Sequence, residues 1–326
     1  MSSIDGAPDD SSSHESAAGT SSHESAANIS RDSSRAVTRN AGNGFGADVA
    51  LSLKRWLVKT SRSPFVTFSS LVQPVVFFVL LAAVFGVVAD GPLAQVYGED
   101  VSYVAFLTPA IVIQSALAAA AVSGIGLVKE METGMFDAIL VSPMNRGAML
   151  LGKVLSELIR IAVQTLIILA LGYVVFRYST GEPVGSYVET GLLGVVGILA
   201  VTIVFGLVFV AFSNVVALVT RDEEATILIA NLLTFPLLFV SSAFLPLEVL
   251  PGWIRTVAVA NPVTYGVDGV RAVLFGKDVM VVLEVNAFAG FWNTVIPAVV
   301  ILLSFALLTG AIAGRLLSVA WKAEVR

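Results

Sequence analysis

Apolar residues in this chain come in blocks about 20 residues long, and that arrangement leaves few folds open. A helix rises about 1.5 Å per residue, so about 20 residues cross the roughly 30 Å of bilayer hydrocarbon. Inside hydrocarbon each backbone N–H and C=O must bond within the protein, and a helix meets that demand by itself. The blocks lie at about 68–88, 104–128, 149–176, 191–219, 225–244 and 291–319. The chain therefore reads as an all-α integral membrane protein with six transmembrane helices. Composition agrees. Of the 326 residues 56% are hydrophobic and 13% charged, the latter about half the share of a soluble domain.

Two function classes drop out early. The chain has no Cys, and its two His, His14 and His23, sit near the N-terminus. Disulfides, thiolate metal sites and Cys nucleophiles are excluded, and the membrane body holds no imidazole for base or ligand work. Residues 1–44 differ from the rest. Ser, Ala, Asp and Glu dominate, and SSHESAA occurs at 12–18 and again at 21–27. Such a segment buries too little apolar surface to offset its ordering entropy, so it is expected to be a disordered cytoplasmic tail. It lacks the basic start and apolar core of a signal peptide. Its two His could hold a metal weakly, but a neutral repeat is the simpler reading. Residues 45–326 form the membrane domain.

Between tail and first span runs ADVALSLKRWLVKT, residues 47–60, which mixes apolar residues with Lys54, Arg55 and Lys59. This is a basic amphipathic segment expected to lie along the interface, with Trp56 at headgroup level; the plainer alternative is a ragged start to the first span. Basic residues near the spans set the orientation. With the N-terminus inside, the inner segments hold Lys54, Arg55, Lys59, Arg62, Lys129, Arg146, Lys153, Arg221, Arg315, Lys322 and Arg326, and the outer ones Arg177, Arg255, Arg271 and Lys277. Both termini are therefore expected in the cytoplasm. The stretch 245–289 carries Pro246, Pro251, Gly252, Pro262 and Gly266 among apolar runs. It reads as two short helices lying in, or dipping into, the outer leaflet, shielded by protein.

The inner connection between spans two and three holds Glu130, Glu132, Thr133, Gly134, Met135, Phe136 and Asp137. Met135, Phe136, Ile139 and Leu140 recur at helical spacing, which suggests a short amphipathic helix. A helix facing anionic lipid should be basic; this one is acidic, which favours a protein partner over lipid, with a solvated connector as the alternative. The runs Glu130-Met-Glu-Thr-Gly-Met-Phe, Leu140-Val-Ser-Pro-Met-Asn-Arg146 and Leu151-Gly-Lys153 resemble the signature of ABC-2 type transporter permeases. Met135 stands where that family usually has Thr, and Phe136 where it is more polar. A second set is similar too: Phe235-Pro236, Val240-Ser-Ser-Ala-Phe-Leu-Pro246, Leu250-Pro-Gly-Trp253, Ala260-Asn-Pro262 and Val270-Arg271. Ser242 stands where Gly is commoner.

The resemblance implies an elbow helix containing Lys54, Arg55 and Trp56, and a coupling helix over residues 130–139. It also implies an outer re-entrant region built around Pro246, Trp253, Asn261, Pro262 and Arg271. It implies a plasma-membrane exporter subunit that pairs as a homodimer and binds a cytoplasmic ABC ATPase, which carries the ATP and magnesium. Lipid is the remaining expected partner, and nucleic acid is not one. The chain itself has no G-x-x-x-x-G-K-[ST] run, so a nucleotide site, if used, belongs to another polypeptide. Glu157 and Arg160 are spaced to pair on one helix face. Gln73, Gln114, Gln164, Asn214 and Asn231 read as helix–helix contacts or the lining of a polar path. No span carries a clear midplane acid, which disfavours an ion-coupled secondary carrier. A non-transport membrane scaffold fits the loop organisation less well. The expected substrate is lipophilic or amphipathic.

Overall fold

The computed structural model describes residues 44–86, 93, 101–135, 145–247, 250–280, 282–283 and 287–324. The expected tail falls outside them except for Gly44, as do Phe136, Asp137 and the rest of the expected coupling helix. Every regular element among the described residues is helical: α1 Phe45–Ser61, α2 Pro64–Phe85, α3 Tyr103–Glu132, α4 Arg146–Thr180, α5 Gly191–Thr220, α6 Glu223–Phe239, α7 Gly252–Ala258, α8 Pro262–Phe275 and α9 Trp292–Glu324, with a single turn at Val184–Tyr187.

Polar residues start these helices where the sequence offers side-chain oxygens for the orphan N–H groups of the first turn. Ser102 accepts from the Ala105 N–H, Asn145 from those of Gly147 and Ala148, Asp222 from Ala225, and Asn261 from Val263. Pro64 and Pro262 occupy first-turn positions, where a missing N–H costs nothing.

Among the described residues five helical stretches are long and apolar enough to cross a membrane: Phe68–Phe85, Tyr103–Glu132, Gly147–Thr180, Val184–Thr220 and Trp292–Leu316. The fifth expected span, 225–244, is a shorter helix. Its 17 residues end at Phe239, a length of about 25 Å at 1.5 Å per residue. The apolar run continues past Phe239 but the helix does not. The side-chain amide of Asn261 takes the carbonyls of Leu237 and Val240 at 2.6 and 2.7 Å, and the chain turns there.

α3 is the spine of the bundle. It is buried along most of its length and is flanked by α2, α4, α5, α6 and α8. α9 packs along α5 and α8, while α1 lies mainly on α4. The end carrying α1, the last turn of α3 and the first turn of α4 is called proximal below, and the end carrying α7 and α8 distal. α8 is buried at every position from Val263 to Phe275, while Trp253 on α7 is exposed.

Candidate functional site: two ends of one bundle

At the proximal end α1 uses an unexpected face. Its buried residues are Asp48, Ser52 and Trp56, spaced four apart, while Leu51 and Val58 are exposed. The polar stripe is spent on the protein. Asp48 Oδ2 accepts the Asn145 N–H at 2.8 Å, and Ser52 Oγ donates to the Met149 carbonyl at 2.8 Å. The helices cross closely because position 152 is glycine: a Cβ there would stand 2.6 Å from Ser52 Cβ and 2.8 Å from the Leu53 nitrogen. Trp56, expected at headgroup level, is buried against the protein, with Lys59 Nζ 4.3 Å and Lys153 Nζ 5.3 Å from its ring centre. Lys54 is exposed.

Lys153, counted in sequence among the inner loop cations, lies inside the bundle. Its three N–H donors meet the Ser123 carbonyl, Ser123 Oγ and Asn214 Oδ1, each at 2.8 Å. Glu157 and Arg160 form the expected pair on α4, and Arg160 also donates to the Ala119 carbonyl of α3 at 2.6 Å. Asn214, through Lys153, and Gln164, whose amide donates to Ser70 Oγ at 2.8 Å, join helices. Gln114 is buried, whereas Gln73 and Asn231 are exposed.

The acidic segment divides. Glu130 is buried and held inside the chain by Arg55 at 3.2 Å and Lys59 at 3.5 Å. It continues α3 rather than starting a new helix. Glu132 is the last residue of α3 and is exposed. Thr133 closes the helix, its hydroxyl donating to the Lys129 carbonyl at 2.8 Å. Gly134 then takes φ +66°, with open space around it, so glycine is needed there for its backbone and not for room. Met135 is exposed. Glu132, Thr133, Gly134 and Met135 thus form a knuckle exposed among the described residues. Lys129 ties the same turn to Glu223 at the start of α6, 2.9 Å away.

The distal residues converge more tightly. Asn261 caps α8 and holds the end of α6, as described above, and Pro262 follows in the first turn. Arg271, read in sequence as an outer cation, is fully buried. It pairs with Asp268 at 3.3 Å and reaches the carbonyls of Ser242, Phe106 and Ala243 at 3.0, 3.4 and 3.5 Å, with its guanidinium 3.9 Å from the Phe106 ring centre. Ser242 Oγ donates to Asp268 at 2.6 Å. Pro246 is buried on the same turn. Sequence reasoning passed over Asp268, although an acid three residues before an Arg in an apolar run is a visible sign of a buried pair. It also passed over Asp48 and Ser123, whose partners lie far away in the chain.

Beside this pin opens a cleft of about 230 Å³, walled by Phe77, Phe85, Tyr103, Phe239 and Phe244 among others, with no charged residue among the described residues that line it. At the proximal end a second cleft, also about 230 Å³, is lined by Trp56, Lys59, Lys129, Glu157 and Arg160 among others.

The spine helix, the closed proximal knuckle and the pinned distal helix fall within one stretch of chain, and that stretch is what known proteins share. The profile described as ABC-2 type transporter matches residues 48–275. The chain belongs to the ABC-2 type transporter family, and it is a membrane transport permease. It is 28% identical over 221 residues to the daunorubicin resistance ABC transporter permease protein DrrB1 of Streptomyces coeruleorubidus, covering 68% of this chain and 69% of that one. It is 27% identical over 243 residues to the probable doxorubicin resistance ABC transporter permease protein DrrC of Mycobacterium tuberculosis, covering 74% and 82%.

Proposed function

We propose that the chain is the membrane subunit of an ABC exporter in the plasma membrane, driven by a separate cytoplasmic ATPase that binds the ATP and magnesium. The proximal end faces the cytoplasm. α1 is the elbow helix, and its inverted polarity supports this. A helix that buries Asp48 and Ser52 against protein while exposing Leu51 and Val58 is suited to lipid on its outer side. α6 completes a sixth crossing together with the turn after Phe239, and α7 and α8 form the re-entrant outer region. Two copies assemble around the translocation path.

The observation that carries the reading is the knuckle at Glu132–Met135. It is exposed at the end of α3, while the turn beneath it is bound to α1 through Glu130 and to α6 through Lys129. A partner that pushes on the knuckle therefore moves three helices together, which is what coupling to ATP-driven closure needs. The substrate is lipophilic or amphipathic and aromatic. The aromatic-walled distal cleft, uncharged among the described residues, supports this, and the names of the two relatives supply daunorubicin and doxorubicin as first compounds to test.

The test is reconstitution of the full chain with its co-purifying ATPase in liposomes. ATP-dependent export of an aromatic amphiphile is expected, and Glu132→Lys should abolish export while the protein still inserts and stays monodisperse. Undiminished export by that variant would remove the knuckle from the coupling path. Export without ATP, driven by an ion gradient, would replace this reading with a secondary carrier.

A further inference from the structure

The proximal cleft has a chemistry that transport by the distal cleft does not use. Lys59, Lys129 and Arg160 line it, and Glu157 is the only carboxylate among its lining residues. Lys59 and Lys129 meet Glu130 and Glu223 on their far sides. Yet Glu130 is already shared with Arg55, and Lys153 behind the cleft is buried against neutral oxygens alone. Five cations thus stand around three carboxylates. The buried Lys153 and Arg160 are matched in number by the buried Glu130 and Glu157, so the two positive charges in excess stand at the mouth of the cleft, where the half-exposed Lys59 and Lys129 attract an anion. Two N–H donors at the same place, Trp56 Nε1 and Arg160 Nε, are buried with no hydrogen-bond partner among the described residues. Both belong to residues more than nine-tenths buried that line the cleft. Buried donors are almost always satisfied, so the cleft is short of acceptors and short of negative charge at one spot.

The remaining wall is different. Val122, Ile125 and Gly126 of α3 make it apolar, and the nearby start of α2 exposes Phe65 and Phe68. A ligand that fits both walls has an anionic, acceptor-rich head and an apolar tail. The volume is far above the ~10–15 Å³ that admits one water. From this juxtaposition we infer that the cleft between α1, α3 and α4 binds the phosphate headgroup of an anionic glycerophospholipid from the adjoining leaflet. The acyl chains would leave along Val122 and Ile125. A phosphodiester oxygen supplies both the missing charge and the missing acceptor. The site holds α1 down onto α3 and α4, so the lipid would act as a structural ligand and not as cargo.

The experiment uses the full chain in nanodiscs of phosphatidylcholine, titrated with phosphatidylglycerol and read by native mass spectrometry after gentle release. One phosphatidylglycerol per chain is expected to be retained at least tenfold more strongly than phosphatidylcholine. Lys59→Gln with Lys129→Gln should cut that preference tenfold or more. Lys54→Gln, which removes an exposed cation of α1 outside the cleft, should change it less than twofold. Brominated phosphatidylglycerol gives a second reading that does not depend on the lysine variants. It should quench tryptophan emission in the parent chain and lose most of that quenching in Trp56→Phe. Equal retention of the two lipids, or equal loss in the Lys54 variant, would overturn the site. Competition by millimolar inorganic phosphate would overturn the lipid assignment in favour of a free anion.

Discussion

The two ends of this bundle are built from the same part and put it to opposite uses. Each has an acid and an Arg three residues apart on one helix, Glu157 with Arg160 on α4 and Asp268 with Arg271 on α8, and each Arg reaches a carbonyl of α3. At the distal end the pair is sealed. Three carbonyls, an aromatic ring and the Ser242 hydroxyl surround it, and the described residues that line the cleft beside it carry no charge. At the proximal end the pair lines an opening and cations outnumber acids around it, whereas the Nε of Arg160 and that of Arg271 alike have no hydrogen-bond partner among the described residues. A buried ion pair is therefore not one kind of object. Closed on all sides it pins two elements in register; left open on one side it becomes a place for a ligand.

The largest effect should come from breaking the sealed pair. Arg271→Met leaves Asp268 without its cation in a place water cannot reach, a change that costs about 3–5 kcal/mol. Arg160→Met leaves Glu157 beside a cleft that admits water, so the expected loss is about 1–3 kcal/mol. Thermal unfolding in detergent should therefore show a much larger drop for the first variant. Adding Asp268→Leu to Arg271→Met should recover most of the loss, because two apolar side chains of similar size need no partner. Equal drops at the two ends would end the distinction between pin and site.

A middle-sized effect tests how α1 is seated. Gly152→Ala puts a methyl group against the Ser52 Cβ and the Leu53 backbone nitrogen, and backbone cannot move aside as a flexible side chain can. The expected cost is about 1–3 kcal/mol, concentrated at the proximal end. Trypsin should cut after Lys54 or Arg55 faster in this variant, while the distal end stays protected. Unchanged cleavage would mean that α1 has room to slide.

Much of this was legible in the sequence, and the misses share a cause. Hydropathy blocks located the long helices within a few residues, and the pair at Glu157 and Arg160 followed from spacing alone. The end of α6 was set five residues too far because the apolar run continues to 244, whereas the helix stops where Asn261, more than 20 residues away, claims its last carbonyls. Lys153 and Glu130 read as loop charges because they border the apolar blocks. Glu130 is buried because α3 runs on past its block and α1 covers it, and Lys153, at the start of its own block, because Ser123 and Asn214 take its three donors inside the bundle. Arg271 counts in sequence simply as an outer cation, and its burial is not legible there because its shelter comes from α3 and from the turn after α6. Composition shows which residues avoid water. It does not show which polar residues meet each other, and at both ends that meeting makes the site.

The smallest expected effect separates the two clefts by their response to salt. Raising ionic strength from 0.1 to 1 M shortens the Debye length from about 10 Å to about 3 Å. Retention of phosphatidylglycerol at the proximal cleft rests partly on the half-exposed Lys59 and Lys129, so it should weaken severalfold. Binding of an uncharged aromatic amphiphile at the distal cleft rests on the rings of Phe77, Phe85, Tyr103, Phe239 and Phe244, and its affinity should change by less than twofold. Phe239→Ala supplies the complementary change. Phe239 is 58% exposed, so its loss should barely move the unfolding temperature, yet it should raise KM for such a compound and leave the lipid stoichiometry at one. If salt shifts both clefts alike, the aromatic cleft binds its ligand through charges that its walls do not contain, and the contrast between the two ends fails.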